Sequence, residues 1–483
     1  MKNIKIKKEY GILNKPDLKL ARKRINKETK HIRYEINDDL IGIGNNKTYK
    51  VITFGCQGNL SDSERICGIL SLVGFGEAVD EEHADIIIYN TCCIRENAEM
   101  RVFGELGRIK KFKTKNPNLI IGLCGCMMQE EATVELIQKK YPHVDIIFGT
   151  HNINNLAYYI KLALEGKKVI DILSVEGDIY EDIPKVRDHP YKAWVDIMYG
   201  CDEFCTYCIV PYTRGKERSR KLEDIVNEVK DLAEKGYKEV TLLGQNVNAY
   251  GKDLGMEHGF ADLLKALNKI NIPRIRYTTS HPRDFDDDTI DAMALGGNIM
   301  PHLHLPVQSG NNEVLKRMNR KYTKEEYISK MTKLKEKVPG ISITTDIIVA
   351  FPGETNEQYQ DTIDLVKTIE FEGAFTFIYS PRIGTPAATY PNPLTEEEKK
   401  ERLYKLNEVV NEYTYKGNLR FEGQVVKVLV DGFSKTNDNM LCGYTEHNKL
   451  VNFEGPANLI GKIVDVKITK AFSWHLLGEI FVK

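Results

Sequence analysis

Short apolar segments alternate with longer, partly polar segments through most of this 483-residue chain, and this alternation constrains its fold more than any other feature. Short apolar runs bounded by turn residues predict buried strands, and the longer segments between them predict helices. Strands that alternate with helices form parallel sheets covered by helices on both faces. The sequence therefore predicts an α/β multidomain protein that begins with a doubly wound parallel α/β domain.

The first three strands are predicted at Val51–Phe54, Ile86–Tyr89 and Leu119–Leu123. A helix is predicted over Ser61–Leu72, because Ser61 is a suitable N-cap and Glu64 would complete a capping box.

A cysteine follows the predicted carboxyl end of each of these strands, at Cys56, Cys92 and Cys126. Ligands of open α/β sheets bind beyond these ends, so the three thiols could converge on one site. Taken alone, this placement fits small buried side chains equally well. The second cysteine motif, described below, favours an iron–sulfur cluster here. Cys93 and Cys124 complicate the choice, because neighbouring residues of an extended chain point to opposite faces. One residue of each pair is expected to be a ligand, and periodicity does not decide which.

A second group of cysteines, Cys201, Cys205 and Cys208, lies in one short segment with spacings of three and two residues. A four-iron cluster usually takes four cysteines, so three thiolates leave one iron open to a reactant. A zinc site would need a second cysteine pair or nearby histidines. The next histidines along the chain are His258 and His281. The spacing therefore predicts a catalytic iron–sulfur cluster.

About six strand–helix units between Ala193 and Tyr379 predict a central, partial (β/α)6 barrel of the TIM type. The strands are predicted at Val195–Met198, Val240–Leu243, Ile275–Thr278, His302–Val307, Ile343–Val349 and Phe375–Tyr379. Such barrels carry their sites at the carboxyl ends of the strands. The candidates for cofactor binding at these ends are Gln245, Gln308, Ser309 and Phe351. Ordinary turn chemistry also fits these four residues.

Three arginines follow the second cysteine group: Arg214, Arg218 and Arg220. One interpretation is that they hold an anionic group, either a cofactor carboxylate or an RNA phosphate. The other interpretation is an exposed, solvated cluster of charges.

The C-terminal part is predicted to be a small all-β, OB-like module that follows a helix over Glu396–Tyr415. Its strands are predicted at Val425–Val430, Leu450–Phe453 and Ile463–Ile468. OB-like barrels often bind oligonucleotides through aromatic side chains, here Phe433, Tyr444 and Trp474. A structural cap with ordinary core aromatics is the alternative.

Composition places the chain among cytoplasmic, soluble proteins: hydrophobic residues are 42%, charged residues 28%, and no apolar run is long enough to span a membrane. Ten cysteines without a secretion signal indicate a reducing compartment. Cys67 and Cys442 are expected to be structural. Residues 1–47 carry thirteen basic and six acidic residues. This segment could contact a phosphate backbone, but a solvated, poorly ordered tail is the favoured interpretation.

The cysteine motifs resemble those of the methylthiotransferase family of radical S-adenosylmethionine (SAM) enzymes. The spacing of the second group resembles the radical-SAM signature, and the C-terminal module resembles the tRNA-binding TRAM domain. The N-terminal motifs that carry the resemblance are Thr53-Phe54-Gly55-Cys56-Gln57, Asn90-Thr91-Cys92 with Arg95, and Gly125-Cys126. Further matching segments are Cys201–Arg220, Leu243–Gly251 and Tyr379–Arg382.

This resemblance implies two [4Fe–4S] clusters, each held by three cysteines, and SAM bound at the open iron of the second. The implied ligands are Cys56, Cys92 and Cys126 for an auxiliary cluster, and Cys201, Cys205 and Cys208 for the SAM-binding cluster. Composition sets apart a basic N-terminal extension (1–48). The resemblance begins at residue 49 and implies a methylthiotransferase N-terminal domain (49–170), a radical-SAM domain (187–417) and a TRAM domain (418–483).

The implied reaction adds a methylthio group to C2 of N6-isopentenyladenosine at position 37, in the anticodon loop of tRNA. The implied partners are tRNA and an electron donor such as flavodoxin or ferredoxin, with no membrane, and a monomer is expected. One alternative keeps the chemistry but acts on N6-threonylcarbamoyladenosine of tRNA or on a ribosomal-protein aspartate. Another is a non-catalytic iron–sulfur protein that binds RNA.

Overall fold

The computed structural model describes residues 10–23, 28–93, 96–175 and 177–482. The chain divides into two compact units. The first unit consists of Met1–Asp188, Tyr199–Asp202 and Ile209–Arg220, and the second of His189–Met198, Glu203–Cys208 and Lys221–Lys483. Among the described residues, no helix combines the length and the apolar character needed to cross a membrane.

The first unit is built on a parallel sheet that has seven strands in the described part of the chain, in the order β1-β8-β7-β6-β5-β3-β4. Apolar residues of helices α2 and α5 pack with the sheet in one core, as the predicted doubly wound domain requires. The strands are β1 (Tyr10–Asn14), β2 (His31–Arg33), β3 (Thr48–Phe54), β4 (Gly76–Glu77), β5 (Ile86–Thr91), β6 (Ile120–Gly125), β7 (Ile146–Phe148), β8 (Lys168–Asp171) and β9 (Ile179–Glu181). The helices are α1 (Leu18–Arg22), α2 (Gln57–Leu72), α3 (Glu96–Lys115), α4 (Glu131–Lys140) and α5 (Leu156–Leu164).

Two predictions for this region are wrong. The N-terminal segment is not a solvated tail over its described residues, because β1 pairs in parallel with β8 and β2 with β9. Helix α2 begins at Gln57 rather than at Ser61. Cys56 is the N-cap, and the backbone N–H of Cys56 donates to Asn59 Oδ1 at 3.3 Å. Ser61 is consequently buried inside the helix.

The second unit contains a barrel of parallel strands arranged as β10-β13-β14 and β15-β16-β17. A bridge between Ile275 and Ile299 links the two halves, so the described chain contains the predicted partial (β/α)6 barrel. The strands of this unit are β10 (Lys192–Asp196), β13 (Glu239–Leu243), β14 (Arg274–Tyr277), β15 (His302–His304), β16 (Ser342–Val349) and β17 (Ala374–Ile378). Its helices are α7 (Leu222–Glu234), α8 (Gly259–Leu267), α9 (Asp287–Ala294), α10 (Asn312–Arg317), α11 (Lys324–Lys337), α12 (Asn356–Ile369) and α13 (Glu396–Leu419). Strand β12 (Arg218–Ser219) and helix α6 (Val210–Thr213) belong to the first unit, and the division falls within β11 (Met198–Tyr199).

A small closed β-barrel ends the second unit, with its described strands in the order β18-β19-β20-β22-β21. The strands are β18 (Val425–Ser434), β19 (Asn437–Thr445), β20 (Leu450–Phe453), β21 (Ile463–Ala471) and β22 (Leu476–Ile480). The sequence predicted three of them and missed β19, which is rich in polar residues, and β22, which has only five residues. Tyr444 faces the larger barrel, since Arg274 donates to its carbonyl at 2.8 Å and Lys192 Nζ lies 5.3 Å from its ring centroid. Phe433 and Trp474 are exposed.

Candidate functional site

Three neighbouring parallel strands of the first unit bring Cys56, Cys92 and Cys126 together. β5 and β6 extend two residues beyond their predicted ends, so Cys92 and Cys126 directly follow β5 and β6. Cys56 follows β3 and is the N-cap residue of α2. Because the carboxyl ends of parallel strands share one edge of a sheet, the three thiols meet there.

A buried pair of asparagines joins the loops that carry two of these cysteines. Asn59 Nδ2 donates to Asn90 Oδ1 at 3.1 Å and to the Thr91 carbonyl at 3.2 Å. Asn90 Nδ2 donates back to the Asn59 carbonyl at 2.8 Å. Satisfied polar networks of this kind fix geometry. Sequence reasoning missed Asn59, because it placed the start of the helix too late.

The thiols at this site contact one another. The hydrogen bond with Cys92, together with the charge of Arg214, lowers the pKa of Cys56. The hydrogen bond with Cys93, together with Arg214, lowers the pKa of Cys126. Both effects favour the thiolate, the form that binds metal.

The two neighbouring cysteines behave differently from each other. Cys124 lies within β6 and packs in the apolar core, where burial raises its pKa. Cys93 lies at the site, where its thiol contacts Cys126 and lies 4.0 Å from Thr213 Oγ1. The expectation that Cys92 and Cys93 face opposite ways is therefore wrong, because Cys92 ends the extended segment and the chain turns at Cys93.

Gly125 allows the sharp turn that presents Cys126. Its φ is 97°, and a Cβ atom there would lie 2.2 Å from the Thr91 carbonyl oxygen. Only glycine fits this position without a backbone shift.

The second cysteine group is divided between the two units. Cys201 belongs to the first unit, where its N–H donates to the Gly215 carbonyl at 3.1 Å. Cys205 and Cys208 belong to the second unit, in a turn closed by the Cys208 N–H and the Cys205 carbonyl at 2.9 Å. All three are free cysteines.

The residues that follow α10 hold the Cys205 turn in the second unit. The Thr206 hydroxyl donates to the Arg317 carbonyl at 2.8 Å, and Asn319 Nδ2 donates to the Phe204 carbonyl at 3.0 Å. Arg320 Nη1 donates to Cys205 Sγ at 3.4 Å. The sequence carried no recognised signal for Arg320.

Several buried polar atoms at the carboxyl ends of the barrel strands have no hydrogen-bond partner within the described residues. His281 Nε2 is one of them, although it lies 3.5 Å from Glu203 Oε2. The others are Asn248 Nδ2, Ser280 Oγ, Gln308 Oε1 and the Tyr379 hydroxyl. Buried polar atoms are almost always paired in folded proteins, so such atoms indicate a bound ligand or water. Burial also keeps the pKa of His281 well below its usual value, so the ring is neutral near pH 7.

Three strand ends also carry backbone strain. Thr279, Gln308 and Ala350 follow β14, β15 and β16 and adopt left-handed conformations, with φ of 69°, 67° and 56°. Non-glycine residues rarely adopt this conformation, and such strain concentrates at ligand sites. These ends of the barrel therefore fit a small polar cofactor.

The four cofactor candidates differ in their burial and in their contacts. Gln245 is partly exposed, and Gln308 is buried with one unpaired amide oxygen among the described atoms. Ser309 is fully buried, with its hydroxyl 3.4 Å from Thr362 Oγ1. Phe351 is also fully buried and packs edge-on against Tyr379 at 5.2 Å.

The interpretation of the three arginines as an exposed, solvated cluster is wrong, because all three are buried. Arg214 contacts Cys126 and Asp62. Arg218 donates to the Gly177 and Arg214 carbonyls. Arg220 is paired with the carboxylate of Glu181 through hydrogen bonds of 2.6–3.0 Å. Arg95, part of one family motif, lies outside the described residues.

The chemistry of the donors fits iron–sulfur clusters. The first unit offers three soft thiol ligands and a guanidinium, and the cysteine segment at 201–208 offers three further thiols. Soft thiolate sets select iron–sulfur clusters or zinc, and three ligands leave a coordination position open.

Three segments of the chain match known families. Residues 195–366 match the Radical SAM superfamily, residues 48–149 the Uncharacterized protein family UPF0004, and residues 419–481 the TRAM domain.

Curated proteins similar to this chain share one name, tRNA-2-methylthio-N(6)-dimethylallyladenosine synthase. The protein of Anoxybacillus flavithermus is 56% identical over 96% of this chain and 89% of its own length. That of Oceanobacillus iheyensis is 55% identical over 96% and 90%. That of Halalkalibacterium halodurans is 54% identical over 98% and 88%.

Among solved structures, the chain resembles the radical S-adenosylmethionine methyltransferase TsrM from Kitasatospora setae. The TM-score is 0.51 with 16% identity, over 71% of this chain and 75% of that one. At this identity the likeness shows the fold alone.

Proposed function

The chain belongs to the family of tRNA-2-methylthio-N6-dimethylallyladenosine synthases, and from this membership we infer that it is a radical-SAM tRNA methylthiotransferase. It adds a methylthio group to C2 of N6-isopentenyladenosine at position 37 of tRNA. The observation that carries this conclusion is the meeting of Cys56, Cys92 and Cys126 beyond three neighbouring strands, combined with a second cysteine trio at 201–208. Radical-SAM methylthiolation needs both sets of cysteine ligands.

The cofactors are SAM and two [4Fe–4S] clusters. We assign the auxiliary cluster to Cys56, Cys92 and Cys126, supported by the contacts among their thiols. We assign the SAM-binding cluster to Cys201, Cys205 and Cys208, supported by their spacing and by the bond from Arg320 to Cys205. When bound, SAM and its cluster would supply the radical, a second SAM would supply the methyl group, and the auxiliary cluster would present the sulfur.

The strand ends of the barrel orient SAM in this proposal. Gln245 and Gln308 offer amide groups to SAM. Ser309 and Phe351 are fully buried and pack beneath the residues that contact SAM. The neutral His281 ring and the Asn248 amide offer further hydrogen bonds to the polar groups of SAM.

The proposed domains are the N-terminal extension (1–48), the methylthiotransferase N-terminal domain (49–170), the radical-SAM domain (187–417) and the TRAM domain (418–483). The family matches at 48–149, 195–366 and 419–481 support these limits. The substrate partner is tRNA. We further propose that flavodoxin or ferredoxin donates electrons, that the protein acts as a monomer, and that it works in the cytoplasm.

Anaerobic incubation with SAM, a reductant and tRNA tests the activity. We expect 5′-deoxyadenosine, S-adenosylhomocysteine and a gain in mass of one methylthio group on tRNA that carries N6-isopentenyladenosine. Modification of N6-threonylcarbamoyladenosine tRNA or of a ribosomal protein instead would favour the alternative substrates. Cluster binding and RNA binding without 5′-deoxyadenosine would favour a non-catalytic protein.

Cysteine replacements test the two ligand sets separately. Cys201→Ala should abolish SAM cleavage, because the SAM-binding cluster loses one of three ligands. Cys56→Ala should leave SAM cleavage but stop sulfur insertion. Cys67→Ala and Cys442→Ala are matched controls that should keep both activities. Normal methylthiolation by Cys56→Ala would contradict the assignment of the auxiliary site.

A further inference from the structure

Two buried arginines each donate a hydrogen bond to a cysteine at one of the proposed cluster sites. In the first unit, Arg214 Nε lies 3.2 Å from Cys126 Sγ. Its Nη2 donates to one oxygen of Asp62 at 2.7 Å, and Arg65 donates to the other at 2.6 Å. Two guanidiniums thus share one carboxylate, and this trio keeps one net positive charge beside Cys126.

In the second unit, Arg320 takes the corresponding part at Cys205. Its Nη1 lies 3.4 Å from Cys205 Sγ, and the residue is 7% exposed. Its Nε donates to the Tyr322 hydroxyl at 2.9 Å, and its Nη2 donates to the Pro306 carbonyl at 2.9 Å. The Tyr322 hydroxyl is fixed in turn by the Val307 carbonyl at 2.8 Å. These oxygen partners are neutral, so they do not offset the charge beside the sulfur.

A guanidinium at either position acts on a bound cluster in two ways. Hydrogen bonds to the ligand sulfurs and a nearby positive charge favour the reduced cluster, which raises its reduction potential. The oxygen partners also fix the direction of the N–H that reaches the sulfur, so the thiolate is held in place before iron binds. A lysine could supply the charge but not the planar array of donors.

We propose that Arg214 and Arg320 are positioning residues that each orient one thiolate ligand of a cluster and raise the reduction potential of that cluster. Arg214 acts on the auxiliary cluster through Cys126, and Arg320 acts on the SAM-binding cluster through Cys205. These roles rest on the proposed function, which assigns the six cysteine ligands.

The test measures each cluster alone, by anaerobic redox titration followed by electron paramagnetic resonance. The Cys201→Ala chain should retain only the auxiliary cluster, and the Cys56→Ala chain only the SAM-binding cluster. Arg214→Gln is placed in the first chain and Arg320→Gln in the second. At a fixed potential, we expect the ratio of reduced to oxidised cluster to fall about tenfold or more, which equals about 59 mV for a one-electron couple.

Conservative and control variants separate this role from a loss of stability. Arg214→Lys and Arg320→Lys should restore part of the shift while the g-values stay altered, because charge returns without the original hydrogen bond. Arg220→Gln and Arg402→Gln remove buried guanidiniums that pair with Glu181 and Glu354, and should leave both potentials unchanged. If a Gln variant loses its iron, the Lys variant of the same residue carries the measurement.

The outcomes distinguish this inference from the proposed function. Unchanged midpoint potentials and spectra in both arginine variants, with iron retained, would overturn the role of the arginines. Each arginine variant is also placed in the other parent chain, where we expect no shift. A shift of the auxiliary cluster by Arg320→Gln, or of the SAM-binding cluster by Arg214→Gln, would overturn the pairing of one arginine with one cluster. Failure of the two parent chains to bind about four irons each would instead overturn the ligand assignment, before any arginine is changed.

Discussion

The choice between Cys92 and Cys93 is the sharpest question at the scale of single residues. Both thiols reach the auxiliary site, but Cys92 contacts Cys56, whereas Cys93 contacts Cys126 and lies 4.0 Å from the Thr213 hydroxyl. Cys93 thus has a polar neighbour of its own and fits a supporting position beside the ligands. In the proposed site, Cys56 and Cys126 are two of three protein ligands, which leaves one position for either Cys92 or Cys93.

We therefore expect Cys92→Ala to lose about four of about eight irons and Cys93→Ala to keep them all. Iron and sulfide are counted on protein purified without oxygen. Cys93→Ala should also keep SAM cleavage, since the SAM-binding ligands are intact. Loss of four irons from Cys93→Ala alone would exchange the roles of the two residues.

Gly68 shows how closely helix α2 packs in the first unit. A Cβ atom at this position would lie 1.8 Å from the carbonyl oxygen of Pro184, a backbone atom that cannot move aside easily. Gly68→Ala should therefore destabilise the first unit by about 2–3 kcal/mol through overpacking. Gly104 in helix α3 has nothing within 4 Å of the same position, so Gly104→Ala should stabilise by about 0.5–1 kcal/mol.

Urea unfolding of the iron-free chain, followed by circular dichroism, compares these two variants. Tryptophan fluorescence would miss the change, because Trp194 and Trp474, the two tryptophans of the chain, both lie in the second unit. Equal urea midpoints for Gly68→Ala and the parent would show that the backbone at Pro184 can shift with little loss in the free energy of unfolding.

At the scale of elements, strand order and cysteine placement could be predicted, whereas boundaries and partners could not. Buried apolar runs revealed β3, β5 and β6, and hence the convergence of three cysteines beyond them. The same runs could not exclude Cys124, because this requires knowing that β6 continues to Gly125. The contacts of Arg214 and Arg320 with cysteines could not be predicted, since each arginine meets its cysteine across a long sequence separation, 88 residues for Arg214. The polar residues at the start of β19 and the short length of β22 concealed these two strands.

Strand β17 presents two aromatic side chains on the inner face of the larger barrel. Ala374 and Ile378 pack against the core on the opposite face, so Phe375 and Phe377 point inward, yet they are 65% and 44% exposed. Phe375 stands edge-on to His304 at 5.9 Å. An apolar surface of this kind suits the dimethylallyl group of the substrate better than the carboxylate of a threonylcarbamoyl group.

We expect Phe375→Ala and Phe377→Ala each to lower kcat/KM for tRNA about tenfold, since burial of a few methylene groups contributes on the order of 1–3 kcal/mol. Cleavage of SAM without tRNA should stay normal. Tyr404→Ala is the matched control, because Tyr404 lies on helix α13 and is equally exposed at 65%. A fall in SAM cleavage without tRNA would indicate damage to the barrel rather than loss of a substrate contact.

At the scale of the whole molecule, the second unit is held together by buried charges between its two barrels. Arg276 donates to the Thr445 carbonyl at 2.7 Å and to Glu239 at 2.8 Å. Lys449 pairs with Glu372 at 2.9 Å. These bonds join the larger barrel to the turn between β19 and β20. The small barrel is thereby docked through the Thr445 carbonyl and the Lys449 side chain, and Phe433 and Trp474 are exposed.

His447 lies in the same turn and makes the docking sensitive to pH. Burial, together with the positive charge of Arg420, lowers the pKa of His447 to about 4. The other charged groups that face it are Glu372, which opposes the shift, and Lys449 and Arg276, which add to it. Its ring stands edge-on to Phe421 at 5.3 Å. The folded state therefore holds His447 neutral down to a lower pH than the unfolded state does.

The side chain of an unfolded histidine has a pKa near 6.5. Between about pH 6.5 and 4, His447 is therefore protonated in the unfolded state but neutral in the folded state. The stabilisation is complete above about pH 6.5 and is lost as the pH falls towards 4. The loss is up to about 3 kcal/mol, at 1.36 kcal/mol per pKa unit.

His447→Gln should remove this pH dependence. Between pH 7.5 and pH 4.5, the free energy of unfolding should therefore fall less for the variant than for the parent. Urea unfolding of the iron-free chain, followed by the fluorescence of Trp194 and Trp474, measures the difference. Parallel pH profiles for parent and variant would mean that the turn carrying His447 opens to water before the barrels separate.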